Sequence, residues 1–194
     1  MANALLVIDI QNDLFSGGQF RIPESESIIK STNYYISRFN SLHLPVIFSR
    51  DWHPNITHHF DQYGGKWPAH CIASSWGAQF HNDLLLPPNA MIISKGTKSE
   101  EDSYSAFQGT DNLGRPLEII LNKLKIKTLS ICGLLTDYCV KYSTLHALEK
   151  GFKVYLLIDA IKGLNLLPSD SIRAIDEMAE NGADLITYDS FQLL

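Results

Sequence analysis

Six short, near-continuously apolar runs recur along the chain, at residues 5–10, 45–50, 90–95, 128–133, 153–159 and 183–189. Runs of this length and composition predict strands buried on both faces. Apolar residues at helical spacing lie between them. Ile28, Thr32, Tyr35, Ile36 and Phe39 predict a helix over 27–42, and a second falls near 116–125. A third begins beyond Thr136-Asp137, with Val140, Ala147 and Leu148 apolar and Gly151 as its stop signal. Ser169 is placed to cap a fourth, which carries Ile172, Ile175, Met178 and Ala179. Strands alternating with helices predict one α/β domain over 1–194. Its expected architecture is three-layer αβα around a doubly wound, six-stranded, mostly parallel sheet.

Composition narrows the function without deciding it. A net charge of −5, from 16 basic and 21 acidic residues, and the lack of a basic run argue against nucleic-acid binding. No apolar run reaches membrane-spanning length, and the first residues do not read as a signal peptide. Three cysteines are too few, and odd in number, for a disulfide framework. A soluble, reducing, cytoplasmic setting fits, and a homo-oligomer is compatible with it.

Ligands of open parallel sheets bind beyond the carboxyl ends of the strands. Asp9 ends the first run, Asp51 and His53 follow the second, Lys95 ends the third and Cys139 follows the fourth. Asp9 is anomalous in an apolar run, because a buried carboxylate is costly without a partner. Cys139 is expected inside the first turn of a helix, where unpaired N–H groups and the helix dipole favour thiolate and can hold an oxyanion. Asp9 would then be the general base for Cys139, and Lys95 would pair with Asp9 and stabilise the sulfur. A plain ion pair and a core cysteine are the alternatives, as Cys132 is expected to be.

A second cluster suggests a metal. Four of the seven histidines, His53, His58, His59 and His70, fall between positions 53 and 70 beside Asp51, in a long, poorly periodic stretch. Nitrogen and oxygen donors without thiolate suit zinc, manganese or iron(II). Either His58 or His59 could join Asp51, His53 and His70. Cys71 is taken as a neighbour, and His43, His81 and His146 as surface residues.

Four segments together resemble the nicotinamidases of the isochorismatase-like cysteine hydrolases, nearly end to end. They are Val7-Ile-Asp-Ile-Gln-Asn-Asp13, Asp51-Trp-His-Pro54 with Trp67-Pro-Ala-His-Cys71, Lys95-Gly-Thr with Asp102-Ser-Tyr-Ser-Ala-Phe107, and Gly133-Leu-Leu-Thr-Asp-Tyr-Cys-Val140. The resemblance implies a triad of Asp9, Lys95 and Cys139. It also implies one divalent metal, zinc before manganese or iron(II), on Asp51, His53 and His70, with His59 a less certain fourth ligand. The implied reaction converts nicotinamide to nicotinate and ammonia for NAD salvage, and some relatives also hydrolyse pyrazinamide. Trp67 and Tyr104 would wall the ring, with Leu14, Leu134 and Tyr138 also against it. A cis Leu134–Leu135 bond would turn the Leu135 N–H, with that of Cys139, toward the substrate oxygen.

Three positions depart from the family pattern. Leu135 stands where alanine is usual, and Leu14 where many members carry an aromatic wall that Phe15 could replace. The stretch between His53 and His70 is shorter than in many bacterial relatives. Other readings are a sibling hydrolase of another amide or carbamoyl compound, and a silent binder of nicotinamide or metal.

Overall fold

Six strands form one sheet in the computed structural model, which describes residues 2–191. They are β1 (Asn3–Ile8), β2 (Val46–Asp51), β3 (Met91–Lys95), β4 (Thr128–Leu134), β5 (Lys153–Lys162) and β6 (Asp184–Ile186). Their order is β3-β2-β1-β4-β5-β6, and every pairing is parallel, so the sheet is wholly rather than mostly parallel. The chain winds outward from β1 to β3 and then returns to lay β4 on the other side of β1. The switch point therefore lies between β1 and β4.

Helices α1 (Ile29–Ser41), α2 (Leu117–Lys123), α3 (Lys141–Glu149) and α4 (Asp170–Glu180) cover the two faces. Alternate residues of β1 enter opposite cores. Ala4, Leu6 and Ile8 join Leu121, Val140, Ala147 and Met178, whereas Leu5 and Val7 join Tyr35, Ile36 and Phe39 of α1. Burial of each such large apolar side chain contributes about 1.5–3 kcal/mol, which is why strands covered on both sides are apolar throughout. No helix among the described residues is long and apolar enough to cross a membrane.

Three elements differ from their sequence pattern: β6 stops at Ile186, short of the apolar run to 189, with Asp184 and Leu185 exposed and a 3-10 turn over Tyr188–Ser190. Strand β5 runs past Asp159 to Lys162 because that carboxylate is paired. Tyr35 Oη donates to it at 2.8 Å and the Tyr188 N–H at 2.8 Å. Ser169 occupies the N-cap position of α4 but its hydroxyl caps nothing, accepting instead from Arg173 at 2.8 Å. The side chain of Asn165 accepts from the Ser171 N–H in its place. Ile172 is 63% exposed, because Ala174 and Met178 define the buried face and Ile172 falls on the far side of the helix.

Close contact at the switch point fixes Gly133. Its φ is +115°, and a Cβ there would lie 2.1 Å from the carbonyl oxygen of Ile8, its register partner in β1. Strand backbone cannot yield to that degree. Gly133→Ala is expected to cost at least about 2 kcal/mol, read as a lowered midpoint in urea denaturation. An unchanged midpoint would contradict the close approach.

Candidate active site

The switch point gathers the reactive residues. Asp9 follows β1 directly, with φ +50°, and its N–H still donates to Ser49 of β2 at 3.2 Å. Asp51 and Lys95 end neighbouring strands and are register partners. The Gln11 side chain clamps the Asp51 backbone, donating to its carbonyl at 2.8 Å and accepting from its N–H at 2.8 Å. Cys139 lies in a π turn, Thr136–Val140, between β4 and α3. Asp137 anchors that turn by accepting from the N–H groups of Leu164 at 3.0 Å and Asn165 at 2.8 Å.

Lys95 Nζ sits at the centre of the first cluster. It is 2.8 Å from Asp9 Oδ2, 2.5 Å from Asp51 Oδ1 and 3.4 Å from Cys139 Sγ, and all four residues are buried. Burial works against the lysine's charge, but Asp51 and Asp9 outweigh it and hold it well above its ordinary range, as an ammonium. Burial raises Asp9 to about 6 against the pull of Lys95. Burial would raise Asp51 too, yet Lys95, with His53 and His70, holds it at about 2. Asp9 Oδ1 accepts from Ser49 Oγ at 2.7 Å, while Oδ2 accepts no well-directed hydrogen bond. That oxygen faces the Lys95 ammonium at 2.8 Å and keeps a lone pair that can take a proton.

The thiol departs from the sequence expectation. Burial raises Cys139 well above the usual thiol range; Lys95 pulls it down, and Asp9 and Asp51 push it up again. The resting group is therefore a thiol, not the thiolate that a helix N-terminus would favour. A proton acceptor beside it becomes essential.

The second cluster is a cage of imidazoles. Donor atoms of His53, His59 and His70 lie within 4.8 Å of one another, and His53 Nε2 is 3.8 Å from Asp51 Oδ1. Each ring has an oxygen at Nδ1: Gly96 O at 3.0 Å for His53, Asp102 at 2.5 Å for His59 and Pro68 O at 2.7 Å for His70. With Nδ1–H donated in this way, each Nε2 is left as a lone-pair donor. Burial lowers His53 to about 4 and also lowers His70, keeping both neutral. His53 Nε2 is buried without a partner. An orphaned nitrogen among imidazoles and a carboxylate fits a divalent cation. The carboxylates and thiol of Asp9, Asp51 and Cys139 are equally close together, but the Lys95 ammonium already sits among them. His58 points to the surface, 3.1 Å from Glu100 and away from the cage. Cys71 is buried, its N–H given to Asp13, and it stands outside the cage, as does the core thiol Cys132.

One cavity joins the two clusters. Asp9, Asp51, Cys139, His59 and His70 line it together with Leu14, Trp67, Tyr104, Leu134, Leu135 and Tyr138. Trp67 Nε1 donates to Tyr104 Oη at 2.9 Å, which fixes two of the aromatic walls. The Leu134–Leu135 bond is cis. Among the described residues, the Leu135 N–H donates to no protein group. Phe15 does not supply the wall beside Leu14. It is 1% exposed, turned into the α1-side core. Phe20 takes that place, its ring 5.4 Å from Trp67 and 4.9 Å from His70. Ser103 is the other lining residue that sequence reading missed as a wall, although it lies within the Asp102–Phe107 motif.

The chain belongs to the isochorismatase family, whose domain matches residues 3–190. It is 39% identical to the nicotinamidase of Escherichia coli K12, over 95% of this chain and 94% of that one. The zinc-bound crystal structure of Pyrococcus horikoshii pyrazinamidase superposes with a TM-score of 0.88 at 39% identity, covering 97% of this chain and 100% of that one. A nicotinate-bound structure from L. infantum gives 0.86 at 28% identity, covering 97% and 94%.

Proposed function

We propose that this protein hydrolyses nicotinamide to nicotinate and ammonia, a reaction that serves NAD salvage. One observation carries the reading: a single cavity is lined by Asp9 and Cys139 of the reacting cluster, by Asp51, His59 and His70 of the cage, and by aromatic walls suited to a small heteroaromatic carboxamide. Family membership and the E. coli nicotinamidase support the substrate. The unpaired thiols Cys71, Cys132 and Cys139 suit a reducing, cytoplasmic setting.

Asp51, His53, His59 and His70 would hold one divalent metal, and the donor set together with the zinc of the P. horikoshii structure favours zinc. When bound, the ion supplies a Lewis-acid docking point for the ring nitrogen. Trp67, Tyr104 and Phe20 flank the flat ring and hold its carboxamide over Cys139. Asp9 takes the thiol proton as Sγ attacks the carbonyl carbon. The N–H groups of Leu135 and Cys139 face the oxyanion that forms. Asp9 then passes its proton to the amide nitrogen, the C–N bond breaks, ammonia leaves and a thioester remains on Cys139. Water attacks the thioester, Asp9 receives its proton, the C–S bond breaks to release nicotinate, and Asp9 returns the proton to the Cys139 sulfur. Lys95 stays protonated throughout, offsetting charge on Asp9 and sulfur.

Purified, metal-loaded protein should release ammonia and nicotinate from nicotinamide in equal amounts, lose activity to a chelator and regain it with added divalent metal. Failure with nicotinamide but turnover of another amide would move the protein to a sibling activity. Asp102 carries a further expectation. Its carboxylate orients His59, so Asp102→Ala should weaken zinc affinity by about 10–100-fold, measured by competition with a chromophoric chelator. Unchanged affinity would remove His59 from the ligand set.

A further inference from the structure

Lys66 lies outside the reacting groups yet is built onto the cavity wall. The loop that carries it is tight. Phe60 bridges Trp67, the Asp61 N–H donates to Trp67 O at 2.7 Å, and the Trp67 N–H to His59 O at 3.2 Å. A Cβ on Gly65 would fall 2.2 Å from the carbonyl oxygen of His58, so only glycine lets this loop close against the cage. Lys66 then projects over the aromatic wall. Its Nζ donates to Tyr138 Oη at 2.7 Å, and lies 4.5 Å from the Trp67 ring centroid and 4.8 Å from that of Tyr138. Those two rings meet edge to face at 4.9 Å.

Tyr138 faces the reaction cavity on one side and an outer groove on the other, and Lys66 lines that groove. Two other cations of the groove, Lys141 and Arg173, pair with Glu177 and Asp170. Lys66 instead ties two pieces of wall together through a hydrogen bond and cation–π contacts.

We infer that Lys66 is a selectivity residue, a strap that holds Trp67 and Tyr138 together and restricts the site to carboxamides whose ring bears no substituent on its outward edge. The inference rests on the proposed function for substrate orientation. With the carboxamide at Cys139 and the ring nitrogen at the imidazole cage, the two anchored positions flank one ring carbon. The carbon opposite, C5 of nicotinamide, points away from both, and in this orientation Tyr138, the strapped residue that separates the cavity from the outer groove, is the wall it would meet. Removing the strap frees Tyr138 to move into the outer groove.

The test compares wild type, Lys66→Ala and Lys66→Arg on nicotinamide and 5-methylnicotinamide. Calorimetric dissociation constants of the product acids, nicotinate and 5-methylnicotinate, give a second readout. In Lys66→Ala, the kcat/KM ratio of methylated to parent amide should rise about tenfold, the scale on which pockets discriminate a methyl group. The corresponding binding ratio should move the same way. Lys66→Arg keeps a cation over the rings and should stay near wild type. An unmoved ratio in Lys66→Ala, or an equal rise in Lys66→Arg, would overturn the inference. If metal-loaded wild type fails to turn over nicotinamide, the functional reading fails instead, and the acid-binding ratio still decides the role of Lys66.

Discussion

Cys139→Ala is expected to lower kcat for nicotinamide by about 10⁴-fold or more, the scale of nucleophile removal in covalent hydrolases, with the fold intact. The thiol is buried beside Lys95 and shares the cavity with Asp9, so no other group can take its place at the carbonyl. Its structural contribution is small by comparison. Sulfur removal leaves a modest void, costing on the order of 1 kcal/mol. Single-turnover kinetics and urea denaturation of the same variant separate the two effects. A variant with near-normal turnover would refute the nucleophile, whereas loss of both turnover and folding would point to a merely structural cysteine.

Asp9→Asn should be nearly as damaging, with kcat down by about 10³-fold. Burial, with Asp9 and Asp51, pushes the Cys139 thiol up, which favours the protonated sulfur before attack. Its proton must go to a neighbour as the C–S bond forms. Asp9 suits that task, as burial brings its carboxyl to about 6 and leaves Oδ2 without a directed donor. An asparagine keeps the shape and can still accept from Ser49, but it cannot take a proton. Lys95 keeps its contact with Asp51, so the buried ammonium is not orphaned. The loss should therefore fall on kcat, with KM for nicotinamide changing little. A variant that loses stability but keeps kcat would reduce Asp9–Lys95 to a structural ion pair.

The polar ends of the strands were legible in the sequence for a physical reason. A parallel sheet sends every strand's carboxyl end to one edge, so polar residues interrupting apolar runs at Asp9, Asp51 and Lys95 must converge. The histidine cage was half legible. Residue spacing left His58 and His59 equivalent, and only the turn that hands His59 Nδ1 to Asp102 separates them. Phe20 was not legible. It follows Gly17 and Gly18 in an aperiodic loop, and its position depends on Asp13, which accepts from the Gln19 N–H at 3.0 Å through its side chain and from the Phe20 N–H at 2.9 Å through its carbonyl. The neighbouring Phe15 looked equally suitable in sequence but faces the opposite way. The upward push on the thiol was not legible, because a helix N-terminus is a local feature whereas desolvation depends on all that packs around it.

In this mechanism Cys139 takes the acyl group. Hydroxylamine added during turnover of nicotinamide tests it most directly, because an exposed thioester partitions between water and the stronger nucleophile. Nicotinohydroxamate should rise with hydroxylamine at the expense of nicotinate, with ammonia release undiminished and no hydroxamate from Cys139→Ala. Steady nicotinate with no hydroxamate at any hydroxylamine concentration would mean that water attacks the amide directly, and Cys139 would lose its assigned part.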